Sequence, residues 1–223
     1  MTLQQITDFQ FSLARYDFEK LTYSFIGKKF IFVYKFNYNR KKIFTILKNT
    51  FFLLFSSKTF FNHYDKVIDR IKDCKKTLWI GTADIKDLYV KDGRGTKPLL
   101  EVLSDLAKRG VEIRLIHAKE PGPAFRQDFD KYPALIEGLE RVLCPRVHFK
   151  IIVFDLKTAY VGSANLTGAG LGMKGENTRN FEAGVLSSNK DFVKNAAEQF
   201  DSVWMGAHCT GCRRKAFCGD PIV

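Results

Sequence analysis

A chain of 223 residues has room for one ordinary domain, or one domain plus an extension, and its 45% hydrophobic content is enough to bury a real core. Its formal charge of +12 favours polyanionic partners such as nucleic acid or an anionic membrane surface. The first 61 residues carry ten Lys/Arg against three Asp/Glu, more than half of that excess, so charge alone does not identify a substrate.

This opening segment, 1–61, is compositionally unlike the rest. It holds thirteen of the 21 Phe, no Pro and a single Gly, and it reads as a divergent basic and Phe-rich extension. A basic-aromatic surface for a membrane or a partner is its functional reading, and a strand-and-helix extension is its plain one. The longest apolar run, Ile43 to Phe55, is interrupted by Lys48 and Asn49 and falls short of the roughly 20 residues of a spanning helix. The first ten residues, MTLQQITDFQ, lack the basic and then apolar pattern of an export signal, so a cytoplasmic protein is expected.

From Phe61 onward, Tyr64, Val67, Ile68, Ile71 and Cys74 recur at helical spacing on one face. Thr77 to Ala83 reads as a strand and Asp84 to Asp87 as a loop. A second amphipathic helix runs from Leu99 to Lys108, with Gly110 positioned to end it. Val111 to His117 alternates as a strand, and Phe125 to Leu139 reads as a helix bent at Pro133. This alternation of helices and strands predicts an α/β fold with a mixed sheet flanked by helices.

The chemistry concentrates in Val147 to Asn165. His148 and Lys150 are two apart, so on an extended strand they leave one face, and Ile151 to Phe154 are apolar on both faces, as in a covered central strand. After a turn at Asp155-Leu156-Lys157, a second strand, Thr158 to Val161, delivers Gly162-Ser163-Ala164-Asn165, where Gly162 is expected to let a ligand come close. An imidazole, an ammonium, a hydroxyl and an amide together can hold and attack a phosphodiester without a metal. Leu166 to Asn180 is a Gly-rich, charged loop containing Lys174, Phe181 to Leu186 a strand carrying Glu182, and Ser188 to Trp204 an amphipathic helix.

The tail, 207–223, is Cys-rich: Cys209, Cys212 and Cys218 fall within ten residues beside His208. Without an export signal, metal ligation is favoured over disulfides. Structural zinc takes four ligands. Cys144, close before His148, is the preferred fourth and His208 the alternative; an iron-sulfur cluster and unligated thiols are the other readings.

His148-x-Lys150, Asp155 and Gly162-Ser163-x-Asn165 together resemble the HKD motif of the phospholipase D superfamily. The resemblance implies a phospholipase D-like sandwich over 62–206 and phosphodiester hydrolysis with no cofactor for catalysis. It implies His148, Lys150, Ser163 and Asn165 as site residues, with Glu182 hydrogen-bonding His148 and Asp155 a structural salt-bridge partner. The superfamily builds its site from two motifs, whereas this chain has one. Asp84-Ile85-Lys86 lacks the His, and His117-Ala118-Lys119 lacks the rest. By similarity to the small single-motif bacterial endonucleases, a homodimer with one composite site acting on nucleic acid is expected. Phospholipid head groups are the alternative substrate.

Overall fold

The computed structural model describes strands Tyr23–Ile26 (β1), Lys29–Phe32 (β2) and Phe52–Leu54 (β3), and then residues 64–86, 88–171 and 176–220. The expected surface of 1–61 and Lys174 of the Gly-rich loop lie outside the described residues. The chain divides into two compact units, Met1–Leu47 and Lys48–Val223. The first holds the antiparallel pair β1 and β2. The second begins before the compositional break at 61, because β3 pairs with the main sheet.

That sheet is built from β4 (Thr77–Thr82), β7 (Glu112–His117), β8 (Leu139–Leu143), β9 (Lys150–Phe154), β10 (Thr158–Gly162) and β11 (Gly184–Ser187), with β3 at one edge. Its seven strands run in the order β3-β11-β10-β9-β4-β7-β8. β4, β7 and β8 are parallel, and the remaining pairs are antiparallel. A separate hairpin, β5 (Tyr89–Asp92) and β6 (Gly95–Pro98), turns at Gly93, whose φ is 57°.

One sheet face, with Leu78, Ile80, Ile113, Leu115, Ile152, Phe154 and Tyr160, packs against the short helix α1 (Asp69–Lys72) and against α2 (Leu99–Lys108), which buries Leu99, Leu103 and Leu106. The opposite face, with Trp79, Ile151, Val153 and Ala159, is covered by α5 (Lys190–Trp204) through Val193, Ala196 and Phe200. Phe200 stacks on Trp79 at 5.3 Å between ring centroids. β9 is buried along its whole length, as a strand covered on both sides requires. Among the described residues no helix is long and apolar enough to cross a membrane.

Two expected elements differ. The single bent helix over Phe125 to Leu139 is two short helices, α3 (Pro123–Phe129) and α4 (Ala134–Gly138), separated by a turn that ends at Pro133, and Leu139 opens the edge strand β8. The strand expected from Phe181 begins at Gly184, so Glu182 stands on the segment leading into it.

Asp155 holds the β9-β10 turn to the start of β4. Its backbone, with that of Leu156, is left-handed, at φ values of 51° and 52°. Its carboxylate accepts the backbone N–H groups of Lys75, Lys76 and Thr77 at 2.7–3.1 Å, and among the described residues it forms no salt bridge of the kind expected of it. Burial pushes this carboxyl up, and the three N–H donors override that and hold it below its ordinary value of 3.8. Asp155→Asn keeps a residue tolerant of the left-handed turn but turns an amide NH₂ toward those donors. It should cost about 2 kcal/mol, as for hydrogen bonds to a charged group. The folded-state pKa is depressed, so the contribution is complete above the ordinary carboxylate value and fades as pH falls through the depressed one. Thermal melts should show a gap between wild type and variant at pH 7 that narrows in acid; equal stabilities at pH 7 would remove this role from Asp155.

Candidate active site

The C-terminal ends of β4 and β7, the start of β9, the end of β10 and the start of β11 meet along one edge of the sheet, because the parallel and antiparallel pairings alternate strand direction there. His148 lies in the extended segment just before β9 and is exposed, whereas Lys150, the first residue of β9, is only 7% exposed. Lys150 Nζ donates to the main-chain carbonyl of His148 at 2.8 Å. Among the described residues no carboxylate pairs with Lys150, and no hydrogen bond reaches the His148 ring. An ammonium has three donors, so a buried one with a single carbonyl partner is disposed to take an anion.

On β10, Gly162 stands opposite Lys150 in the β9 register and opposite Gly184 in that of β11. The space over these glycines is occupied by protein, not left for a ligand. A Cβ on Gly162 would strike the Tyr160 hydroxyl and come within 2.7 Å of the Ala183 carbonyl oxygen, and one on Gly184 would meet the Tyr160 ring at 2.5 Å. Tyr160 is fully buried, and that burial pushes its phenol pKa up. Ser163 follows immediately. Its hydroxyl donates to Glu182 Oε2 at 2.5 Å and accepts the Ala183 N–H at 3.0 Å. Glu182 Oε1 accepts from Asn180 Nδ2 at 3.2 Å. Both Glu182 oxygens are therefore engaged, one of them by Ser163.

Asn165 ties the edge to β4: its Oδ1 accepts the Asp84 N–H at 3.2 Å and faces the Thr82 hydroxyl at 3.4 Å. The Thr82 hydroxyl in turn accepts the Leu166 N–H and donates to the Asp84 carbonyl. With the amide oxygen used, the NH₂ of Asn165 is the group left for a ligand. The sequence reading missed Thr82, Asp84, Lys86 and Lys119 as neighbours of the site. Asp84 pairs with Lys119 at 3.3 Å and with Lys86 at 3.5 Å. The available signal was their place at or just past the carboxyl ends of two parallel strands, where α/β sheets gather ligands. His117, at the end of β7, is fully buried with Nδ1 on the Lys119 carbonyl at 2.8 Å, and burial lowers its pKa, so it serves the scaffold as a neutral imidazole.

Cys144, Cys209, Cys212 and Cys218 are half-buried free thiols around one cavity of about 260 Å³, together with His208, Arg146 and Lys215. They do not converge: among the described residues no three His, Cys, Asp or Glu side chains are grouped closely enough to hold a metal ion. The Arg214 N–H donates to Cys212 Sγ at 3.4 Å. This bond, aided by Arg146 and Lys215, holds the Cys212 thiol below its ordinary pKa. Cys74 belongs to the main core, and burial pushes its thiol up to about 12.

Residues 67–204, well over half of the chain, match the family model described as "Cardiolipin synthase, PLD-like domain". The chain belongs to the phospholipase D-like family. NucT from Helicobacter pylori is a structural neighbour at 16% identity and a TM-score of 0.52, over 71% of this chain and 96% of that one. The phospholipase D family member Nuc from Salmonella typhimurium aligns at 19% identity and a TM-score of 0.49, over 71% and 95%. At 16% identity the likeness to NucT shows a shared fold. No curated protein matches the chain.

The crowding at Gly162 is testable. Gly162→Ala should displace Tyr160 or the Ala183 carbonyl and with it Ser163. The expected loss is about 1–3 kcal/mol, the range for overpacking. A melting temperature equal to wild type would show that this strand end shifts freely.

Proposed function

We propose that the protein is a nuclease, a metal-independent phosphodiesterase that acts through a phosphohistidine on His148 at a site shared by two copies of the chain. Family membership supports a phosphodiester hydrolase. The observation that carries the finer reading is the pairing of an exposed imidazole with a buried, singly bonded ammonium at the start of one strand. The single motif, the small size and the positive charge together favour nucleic acid as the diester.

In the first step His148 of one copy attacks phosphorus, forming a P–N bond as the P–O bond to the leaving group breaks, and His148 of the second copy gives the leaving oxygen its proton. In the second step that imidazole takes a proton from water. The water oxygen adds to phosphorus, the P–N bond breaks, and the first His148 is restored. Lys150 and the Asn165 NH₂ hold the non-bridging oxygens, whose charge grows in the transition state. Ser163 and Glu182 support that edge. The chain contributes one motif, so both imidazoles are present only when two copies pair across a two-fold axis.

Plasmid, RNA and phosphatidylcholine vesicles incubated with the protein in excess EDTA test substrate and metal together. Cleavage of nucleic acid with intact vesicles is expected; head-group release without nucleic-acid cleavage would make this a phospholipase, and immediate reversible loss of activity in EDTA would make it metal-dependent. His148→Asn should abolish turnover and leave no phosphoenzyme to trap, and Lys150→Met should lower kcat by about 10²–10³-fold, as for loss of one charge-stabilising donor. An equal mixture of wild type with His148→Asn should retain about one quarter of the activity if both copies serve one site, and about one half if each acts alone.

A further inference from the structure

Beyond Phe200 no residue is buried among those described, and the segment after α5 exposes Met205 at 66% and Phe217 at 68%. Residues 205–220 nevertheless form ordered turns, with N–H to carbonyl bonds from Cys209 to Gly206, Cys212 to Cys209, Phe217 to Arg214 and Cys218 to Lys215. A stretch of this length without a core of its own has little apolar burial to set against its loss of conformational entropy. What it has is thiols: four of the five cysteines face one cavity.

We propose that Cys144, Cys209, Cys212 and Cys218 bind one zinc ion that pins the C-terminal segment to the stretch leading into β9. Zinc is the metal class for an all-thiolate tetrahedral set. Cys209 and Cys212 lie on one turn, Cys218 on the next, and Cys144 at the end of β8, so the set joins two parts of the chain distant in sequence. These parts already touch: Asp220 Oδ2 accepts the Leu143 N–H at 2.7 Å, Arg146 Nη1 donates to the His208 carbonyl at 3.4 Å, and Cys218 Sγ lies 3.7 Å from the Leu143 carbonyl. The N–H bond from Arg214 to Cys212 Sγ is of the kind that supports a ligating thiolate. Four thiolates around Zn²⁺ carry a net charge of 2−, and Arg146 and Lys215 line the same cavity to offset it. The sulfurs surround the cavity without converging. Ion binding therefore draws the two tail turns inward until each sulfur is about 2.3 Å from the metal.

The test is metal analysis and thermal melting of the full chain, alongside Cys144→Ser, Cys212→Ser and, as a control outside the cluster, Cys74→Ser. Wild type and Cys74→Ser should carry about one zinc per chain, and the two cluster variants close to none. Chelation of wild type should lower its melting temperature and expose four thiols to a thiol reagent, a readout that does not depend on any variant folding or on the catalytic reading. Metal-free protein with freely reactive tail thiols, a Cys209–Cys212 disulfide found by mass spectrometry, or bound iron would overturn the proposal. Full zinc in Cys144→Ser would also overturn it, by confining the ligands to the tail.

Discussion

Lys150 stands opposite Gly162 because the chain reverses at one place, through two left-handed residues, and because the first of them, Asp155, is bonded to three consecutive amides at the start of β4. A slip of one residue in β9 would carry Lys150 to the α5 face and move Ile151 and Val153 into the α2 face. Register is thus specified twice, once by the one charged side chain of β9, Lys150, which a slip would carry into the apolar α5 face, and once by the anchor at the turn. The edge that gathers His148, Ser163, Asn165 and Glu182 inherits its geometry from that specification, although the turn lies at the opposite end of the hairpin from His148.

The electrostatics of the edge follow from unequal pairing. Asp84 has two lysines, Glu182 has a hydroxyl and an amide, and Lys150 has a carbonyl. The group with the least compensation is also the most deeply buried of the three charges. A cation placed in that way is held by the surrounding fold, since moving Lys150 would require moving β9. An anionic ligand would supply what the fold omits, beside His148, which among the described residues is the imidazole of this edge that is open to solvent.

Much of this was legible in the sequence where one constraint acts on a segment. Ile151 to Phe154 read as a covered strand because both faces meet apolar layers, and Leu99–Lys108 and Lys190–Trp204 read as helices because each has a single buried face. Reading failed where neighbours decide. Leu139–Leu143 exposes Glu140 and Arg141 on an edge strand, so its alternation is weak and nothing in the sequence marked a strand after the helix. The hairpin at Gly93 has little apolar content to announce it. Asp155 was recognised as structural, but its partners are backbone amides of a strand far away in sequence, which composition does not encode. Gly162 was recognised as a close-approach position, yet what approaches is Tyr160 from the same strand.

The pairing of Glu182 bears on how the imidazole is oriented. A histidine that acts through one nitrogen needs an acceptor on the other. Within the chain, Glu182 accepts one hydrogen bond on each oxygen, from Ser163 and Asn180, and a carboxylate oxygen has a second lone pair with which to take an N–H of His148. The shorter bond, from Ser163, ties the end of β10 to the segment before β11, and Ser163 is itself bonded to Ala183 through both its main chain and its side chain. Asn180 lies at the end of the Gly-rich loop and donates over the longer distance. Ser163 is thus the shorter of the two ties on Glu182, and it fixes the carboxylate to the sheet edge.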